Sequence, residues 1–375
     1  MMSELILKRE TFCLQLKRTE KERIFKSKRQ KIYPKEQLLE LIKSKDQDSI
    51  IKLVNVSEGS SKQINELLEM GGIEYFSDLL NSSEKELAII GLSNLYSQNS
   101  VQASMKDLIL FETIVNEVHL YQNIEQLVQR LRFLNIIALY CTDLSRLEEE
   151  QRIKDKLYQV FSYYQNKYPQ IFKIQEECFK GFLSLASVQF VQNEIIQLCC
   201  DNFNKGIDQI IIQLLYYTID DNVEFIAILN RSTFIQQCPH HLKIIDRQKY
   251  ILSILYYYSQ YYVERIISNN ELVEQIQVIQ NSNRHQRLIL LLHYQMLLKC
   301  PRALFMKILK EFDVINNLKF LLETFKYAEQ ILLVIALLKQ TKQNLIEELM
   351  PYLENLFLKQ EVNERIAQKL QLILG

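Results

Sequence analysis

The chain has 375 residues and no net charge, and 48% of its residues are hydrophobic, but only seven are glycine and five are proline. Because glycine and proline supply turn geometry, this composition excludes turn-rich all-β folds and Pro/Gly-rich disorder. The longest apolar run, residues 331–338, has eight residues, whereas a membrane-spanning helix needs about 20, so we expect no membrane span.

The charge is concentrated at the N-terminus. Residues 1–32 carry ten basic and four acidic side chains, a net charge of +6, so the rest of the chain must sum to −6. A basic arm before an acidic body indicates an interaction segment, and its ligand could be nucleic acid, an acidic protein, anionic lipid or the body itself.

From Pro34 onward, apolar residues recur at the helical period, with short polar joints between the periodic segments. Several helices are apolar on more than one face, as at 207–219 and 288–298, which predicts burial between neighbouring helices. The pattern predicts an all-α solenoid of about eight stacked repeats of about 42 residues each. Successive copies of the repeat are predicted to end in the segments 131–140, 178–186, 251–258, 288–297 and 331–338, with a further copy expected between 200 and 240.

The repeat is clearest at residues 64–99, which read as helix, glycine corner, helix, serine-rich joint and helix. Gly71 and Gly72 are predicted to form the corner, because two helices can meet sharply where no Cβ intervenes. This segment resembles an armadillo repeat, through the corner Gly72-Ile73-Glu74 and the third helix from Ala88 to Tyr96. The resemblance implies a right-handed solenoid.

The basic arm is similar to the importin-β-binding segment of the importin-α family. The similarity lies in Leu14-Gln15-Leu16-Lys17-Arg18-Thr19-Glu20-Lys21, followed by Phe25 and Lys28-Arg29-Gln30. The resemblance implies an arm at 1–33 before a solenoid at 34–375. It also implies importin-β contacts from a set of basic and apolar side chains, namely Leu14, Leu16, Lys17, Arg18, Lys21, Phe25, Lys28 and Arg29.

The same resemblance gives two further expectations. Lys28, Arg29 and Lys31 form a localisation-signal-like cluster that would fold back into the cargo groove when importin-β is absent. In the groove, Asn94 falls at the family's ladder asparagine, and Ile90 falls at the position of its paired tryptophan.

The chain also departs from the family. It contains no tryptophan, and Asn94 is the only ladder asparagine that the sequence comparison identifies. In the next copy Asn135 is one residue out of register and Ile136 takes the ladder position, while in the following copy Lys180 and Ser184 stand at the two positions. We expect Lys180 to repel a basic peptide and the cargo site to be degenerate.

No phosphate-binding loop, hydrolase elbow or zinc-protease signature occurs, so we expect neither an enzyme nor a cofactor. The seven cysteines have no metal-ligand spacing, and we expect free thiols and no metal. Cys238-Pro239-His240-His241 is interpreted as the end of a helix at Pro239.

These observations favour a nuclear import adaptor of importin-α type, present in cytoplasm and nucleus. Its partners would be importin-β on the arm and a basic-peptide cargo on the concave face, with no small-molecule substrate. Two alternatives stay open. One is an armadillo or HEAT-type scaffold that no longer binds localisation signals. The other, less favoured, is a nucleic-acid or anionic-surface binder acting through the arm.

Overall fold

The computed structural model describes residues 33–97, 114–139, 147–187, 193–219, 223–282, 284–323, 328–341 and 347–358. These residues form α-helices joined by short turns, and no strand occurs among them. The basic arm lies outside the described residues. The chain packs as two compact units, residues 1–191 and residues 192–375.

In the described part of the first unit, four short and closely spaced helices come first and four longer ones follow. They are α1 (Lys35–Ser44), α2 (Gln47–Ser57), α3 (Ser61–Glu69), α4 (Gly72–Asp78), α5 (Lys85–Tyr96), α6 (Ile124–Ala138), α7 (Leu147–Lys167) and α8 (Phe172–Ser187). A 3₁₀ turn at Leu79–Asn81 connects α4 to the joint before α5.

The second unit continues the same pattern of short and longer helices. They are α9 (Asn193–Asn202), α10 (Asp208–Thr218), α11 (Val223–Arg231), α12 (Phe234–Leu242), α13 (Ile245–Tyr258), α14 (Val263–Ile267), α15 (Asn270–Asn281), α16 (Gln286–Lys299), α17 (Arg302–Glu311), α18 (Val314–Glu323), α19 (Ala328–Thr341) and α20 (Met350–Leu358).

One helix of each repeat packs against its counterpart in the next repeat. In the first unit α2 packs on α5, α5 on α6, and α6 on α8; in the second unit α10 packs on α13, α13 on α16, and α16 on α19. We call these eight helices the ladder helices. The predicted repeat count is therefore confirmed within the described residues, and α10 fills the gap expected between 200 and 240.

Helix α5 shows why the ladder forms. Ala88, Ile89, Leu92 and Leu95 are at most 1% exposed, because both neighbouring ladder helices cover them. Complete burial of one Leu or Ile side chain contributes about 1.5–3 kcal/mol, so the stacking of repeats stabilises each helix far more than its local sequence does.

The predicted glycine corner is confirmed. Gly71 lies between α3 and α4 with a φ of 81°, in the left-handed region that favours glycine. A Cβ on Gly72 would approach the carbonyl oxygen of Leu67 to 2.8 Å. The corner therefore requires glycine at both positions, for two different reasons.

The expectation that a helix ends at Pro239 is wrong. Helix α12 runs through Pro239 to Leu242. A proline inside a helix leaves the carbonyl four residues earlier without its usual N–H donor, here the carbonyl of Ile235. The Nδ2 of Asn269 donates a hydrogen bond of 3.2 Å to that oxygen, and this long-range partner replaces the missing donor.

Candidate functional site

The ladder helices of the first unit each keep one stripe of side chains open to solvent. On α5 the stripe includes Glu86, Ile90 and Asn94, which are half-buried and spaced by four residues. Because α2, α5, α6 and α8 pack in series, their stripes lie side by side and form one continuous surface. We call this surface the ladder face.

Ile90 and Asn94 lie one turn apart on the ladder face. The Nδ2 of Asn94 donates a hydrogen bond of 3.0 Å to the Oγ of Ser57, at the end of α2. The Ser57 hydroxyl in turn donates to the carbonyl of Val54 at 2.6 Å. These bonds fix the orientation of the Asn94 amide across the α2–α5 boundary.

Helix α2 repeats the same pair, which the sequence analysis missed. Ile51 and Asn55 occupy the positions on α2 that Ile90 and Asn94 occupy on α5, 39 residues later. Ile51 is 43% exposed and Asn55 is exposed. A direct comparison of residues 50–55 with 89–94 shows the signal, since both segments begin Ile-Ile and end in Asn. Asn94 is therefore not the only ladder asparagine.

The next two ladder helices, α6 and α8, carry charged groups at and beside the position that corresponds to Ile90. Glu177 of α8 is only 2% exposed, and its carboxylate accepts a hydrogen bond from Asn135 of α6 at 2.9 Å. Arg132 lies 3.6 Å from the same carboxylate, and Lys180 lies 3.0 Å from both Glu176 and Glu177. Arg132 and Lys180 are thus balanced by the carboxylates of Glu176 and Glu177.

This network changes the expectation for Lys180. Its side chain is 18% exposed, and its ammonium is shared between two carboxylates, so its charge is offset locally and does not act as an isolated repulsive group. Asn135 is 6% exposed and turned into the α6–α8 contact, which agrees with its prediction as a residue out of register with the ladder.

A second ion-pair network joins α5 and α6. Arg130 is 4% exposed, and its guanidinium pairs with the Glu86 carboxylate and donates to the carbonyl of Glu117 at 2.6 Å. Lys85 pairs with the Glu117 carboxylate. Burial, followed by the nearby Arg130 charge, lowers the pKa of Lys85 below its usual value.

The ladder helices of the first unit carry no excess of negative charge. The four helices α2, α5, α6 and α8 together contain six basic and five acidic residues, a net charge of +1. A groove that binds basic peptides needs the opposite sign, because complementary charge steers and selects its ligand. The chemistry of this face suits a neutral peptide better than a basic one.

The ladder helices of the second unit have different side chains at the corresponding positions. Their burial pattern aligns Gln213 and Tyr217 of α10 with Ile90 and Asn94 of α5. No ladder helix described in this unit pairs an aliphatic residue with an asparagine. The corresponding pairs are Gln213/Tyr217, Ser253/Tyr257, Leu291/Gln295 and Leu333/Leu337.

The other sequence predictions of site residues lie outside the described residues. They are Leu14, Leu16, Lys17, Arg18, Lys21, Phe25, Lys28, Arg29 and Lys31. Their roles stay predictions.

Thiols and metal ligands form no site in the described segments. No group of three or more His, Cys, Asp or Glu side chains there could hold a metal ion. Cys178, Cys199 and Cys238 are buried free thiols, and burial raises the pKa of each above its usual value, which makes them poor nucleophiles. Over the same residues, no helix has both the length and the apolar character needed to cross a bilayer.

Comparison with known proteins supports the fold. No family model and no curated protein matches the chain. An engineered protein superimposes with a TM-score of 0.60 at 13% identity, over 92% of this chain and 98% of its own. A chain from a study of the interaction between cadherin and β-catenin gives 0.55 at 15% identity, over 84% of this chain and 62% of its own.

A designed armadillo repeat protein in complex with the peptide (KR)4 is also similar, with a TM-score of 0.43 at 16% identity, over 59% of this chain and 98% of its own. The stacked ladder helices, together with the similarity to the chain from the cadherin and β-catenin study, identify the fold as an α-solenoid of armadillo-like repeats.

Proposed function

We propose that this protein is a non-enzymatic interaction scaffold, and that the ladder face of its first unit binds an extended peptide segment of a partner protein. The repeated pair of Ile51 with Asn55 and Ile90 with Asn94 carries the proposal. An extended peptide has unpaired backbone N–H and C=O groups, and a side-chain amide offers one acceptor and two donors that match them.

The positions beside the two asparagines define the class of peptide. Ile51 and Ile90 offer aliphatic surface, and the charged groups of α6 and α8 are already paired with each other. A peptide lying across α2 and α5 would therefore place apolar side chains against the isoleucines. Lysine and arginine stems would find neither aromatic slots nor unbalanced carboxylates there.

Peptide display on the full-length protein tests this proposal. Peptides selected from a random library should be rich in apolar residues. Their affinity should fall about 3–10-fold in Asn55→Ala and again in Asn94→Ala, since each loses a hydrogen bond worth about 0.5–1.5 kcal/mol. Asn281→Ala, at an exposed site on α15, is the matched control. Unchanged affinity in the Asn55→Ala/Asn94→Ala variant would exclude this site.

An import adaptor of importin-α type is the second candidate function. The basic segment at 14–31 directly before armadillo-like repeats supports it. In this role Lys17, Arg18, Lys21, Lys28 and Arg29 bind importin-β, and the protein moves between cytoplasm and nucleus. The cargo would then be a basic-peptide protein, although the near-neutral ladder face favours another kind of cargo.

A salt-controlled pull-down with purified importin-β tests the adaptor function. Full-length protein should bind at low salt, deletion of residues 1–33 should abolish binding, and Lys28→Ala/Arg29→Ala should weaken it. Absence of binding in every form would leave the scaffold function standing and remove the adaptor. Binding of DNA or anionic vesicles that survives physiological salt would instead assign the arm to one of those ligands.

A further inference from the structure

A second surface with binding character lies at one corner of the first unit. The N-termini of α6 and α8 meet the C-terminus of α7 there, and a 3.1 Å ion pair between Lys173 and Glu125 joins the two N-termini. Three large apolar side chains are exposed at this corner: Leu120 at 59%, Tyr163 at 54% and Phe172 at 52%. We call it the aromatic corner.

The aromatic rings of this corner are held in place by packing. Tyr164 is 1% exposed, and its ring centroid lies 4.9 Å from that of Tyr163 and 6.0 Å from that of Tyr121. Its ring is also stacked on Tyr168 at 6.4 Å, and the hydroxyls of Tyr121 and Tyr168 are hydrogen-bonded. The exposed ring of Tyr163 is therefore part of a preformed platform.

One cation is fixed at the edge of this platform. The Lys167 ammonium lies 5.1 Å from the ring centroid of Tyr163, 5.5 Å from that of Tyr168 and 6.0 Å from that of Tyr164. These cation–π contacts hold an exposed ammonium in one place. Lys167 forms no ion pair with a carboxylate in the described part of the chain.

The electrostatics of the corner favour an anion. Glu125 is already paired with Lys173, and the N-termini of α6 and α8 add partial positive charge. The C-terminus of α7 has the opposite sign, and Lys167, its last residue, offsets that charge. The corner therefore combines exposed apolar surface with a positive centre.

We propose that the aromatic corner docks an acidic segment of a partner protein. An apolar side chain of that segment packs on Tyr163 and its exposed neighbours, and a carboxylate next to it pairs with Lys167. The chain's own arm does not fit this site, because residues 1–32 carry a net charge of +6. The residues that carry this proposal, Tyr163 and Lys167, belong to α7, which is not a ladder helix, so the proposal does not depend on the ladder face.

Affinity selection with a random 12-residue display library tests the proposal on the full-length protein. Peptides that elute from the protein but not from Tyr163→Ser should be acidic and should contain aromatic or aliphatic residues. In fluorescence polarisation, a selected peptide should lose at least tenfold in affinity in Lys167→Glu and should keep most of it in Lys167→Arg. Lys62→Glu, an exposed lysine on α3, is the charge-matched control.

The proposal would be overturned if every selected peptide also bound Tyr163→Ser, if the peptides selected at this corner were basic, or if Lys62→Glu and Lys167→Glu lost affinity equally. Sedimentation of the free protein tests whether a second copy of the chain occupies the corner. A dimer that Tyr163→Ser converts to a monomer would assign the corner to a second copy of the chain and would equally contradict the proposal.

Discussion

His293 is buried in the second unit, and its neutral form is required there. It is 0% exposed, neither ring nitrogen has a hydrogen-bond partner among the described residues, and its ring lies 5.3 Å from that of Phe312. Burial lowers the pKa of His293 to about 3. The imidazole therefore acts as an apolar side chain that accepts a proton once the chain unfolds.

This burial predicts acid sensitivity. The pKa of an unfolded histidine is about 6.5, so below that pH the unfolded state binds a proton that the folded state excludes. The His293 contribution to stability is complete above pH 6.5 and is lost as pH falls toward 3. Between pH 7 and pH 5 the free energy of unfolding should drop by about 2 kcal/mol from this residue.

Urea unfolding at the two pH values measures this effect. His293→Leu should reduce the drop by about that amount, while His119→Gln, at an exposed site, should leave it unchanged. Burial also lowers the pKa values of His241 and His285, so a smaller drop should remain in His293→Leu. An identical drop in the original protein and in His293→Leu would contradict this assignment.

At the residue scale, the sequence predicted which residues occupy the ladder positions but not how deeply their neighbours are buried. The resemblance to the importin-α family put Ile90 and Asn94 at paired positions four residues apart and Asn135 one residue out of register. Both carboxylate partners of Lys180 lie on the same helix, three and four residues earlier, so the ion pairs could have been predicted from the sequence. The burial of Glu177 could not, because it depends on the packing of α6 on α8. Ile51 and Asn55 could have been predicted from the sequence by comparing residues 50–55 with residues 89–94.

At the scale of elements, α12 and α15 depend on one shared side chain. The Oδ1 of Asn269 accepts from the backbone N–H of Leu272 at 3.1 Å and caps α15, while its Nδ2 serves the carbonyl of Ile235 that Pro239 leaves without a donor. The donor lies 30 residues from the proline, so no local pattern predicts that α12 continues.

A double-mutant cycle tests this link. Asn269→Asp keeps the cap but loses the donor, and it should lower the free energy of unfolding by about 1–2 kcal/mol. In a Pro239→Ala background the alanine N–H can reach the Ile235 carbonyl, so the same change should cost clearly less. Equal costs in the two backgrounds would show that Asn269 does not compensate for the proline.

Two glycines of the ladder helices each lie against a phenylalanine ring of a helix outside the ladder, on α4 and on α7. A Cβ on Gly91 would lie 2.5 Å from the ring of Phe76, and a Cβ on Gly181 would lie 2.4 Å from the ring of Phe161. Both phenylalanines are fully buried. This repeated contact was not predicted, because glycine inside a helix does not reveal its neighbour.

Gly91→Ala should therefore lower the free energy of unfolding by about 1–3 kcal/mol, although alanine is the better helix former. Gly181→Ala should behave alike, and Phe76→Leu should relieve part of the cost of Gly91→Ala. Gln159→Ala, at an exposed position of α7, should stay within about 0.5 kcal/mol. Stabilisation by Gly91→Ala in thermal or urea unfolding would show that the helices separate freely at this contact.

At the scale of the whole molecule, composition and period were enough to predict an all-α solenoid, because every repeat obeys the same burial rule. The chain packs as two compact units, divided after residue 191. The ladder helices also differ in chemistry between the units, with Ile–Asn pairs on α2 and α5 only among those described.

The two units share the same stacking of ladder helices but expose different side chains on them. Burial of apolar faces fixes the stacking of ladder helices in each unit, but the solvent-facing stripe is free to vary. The first unit has amides beside aliphatic groups and balanced ion pairs on that stripe. Its ladder face therefore suits a neutral, partly apolar peptide better than a basic one.

Fluorescence polarisation with two matched peptides tests this preference of the ladder face. One peptide alternates lysine and arginine, and the other has leucine and glutamine at the same positions. At low salt the full-length protein should bind the neutral peptide at least tenfold more tightly, and Asn55→Ala/Asn94→Ala should remove that preference. Tighter binding of the basic peptide, weakened by the same double substitution, would contradict the claim and assign the ladder face to a basic cargo.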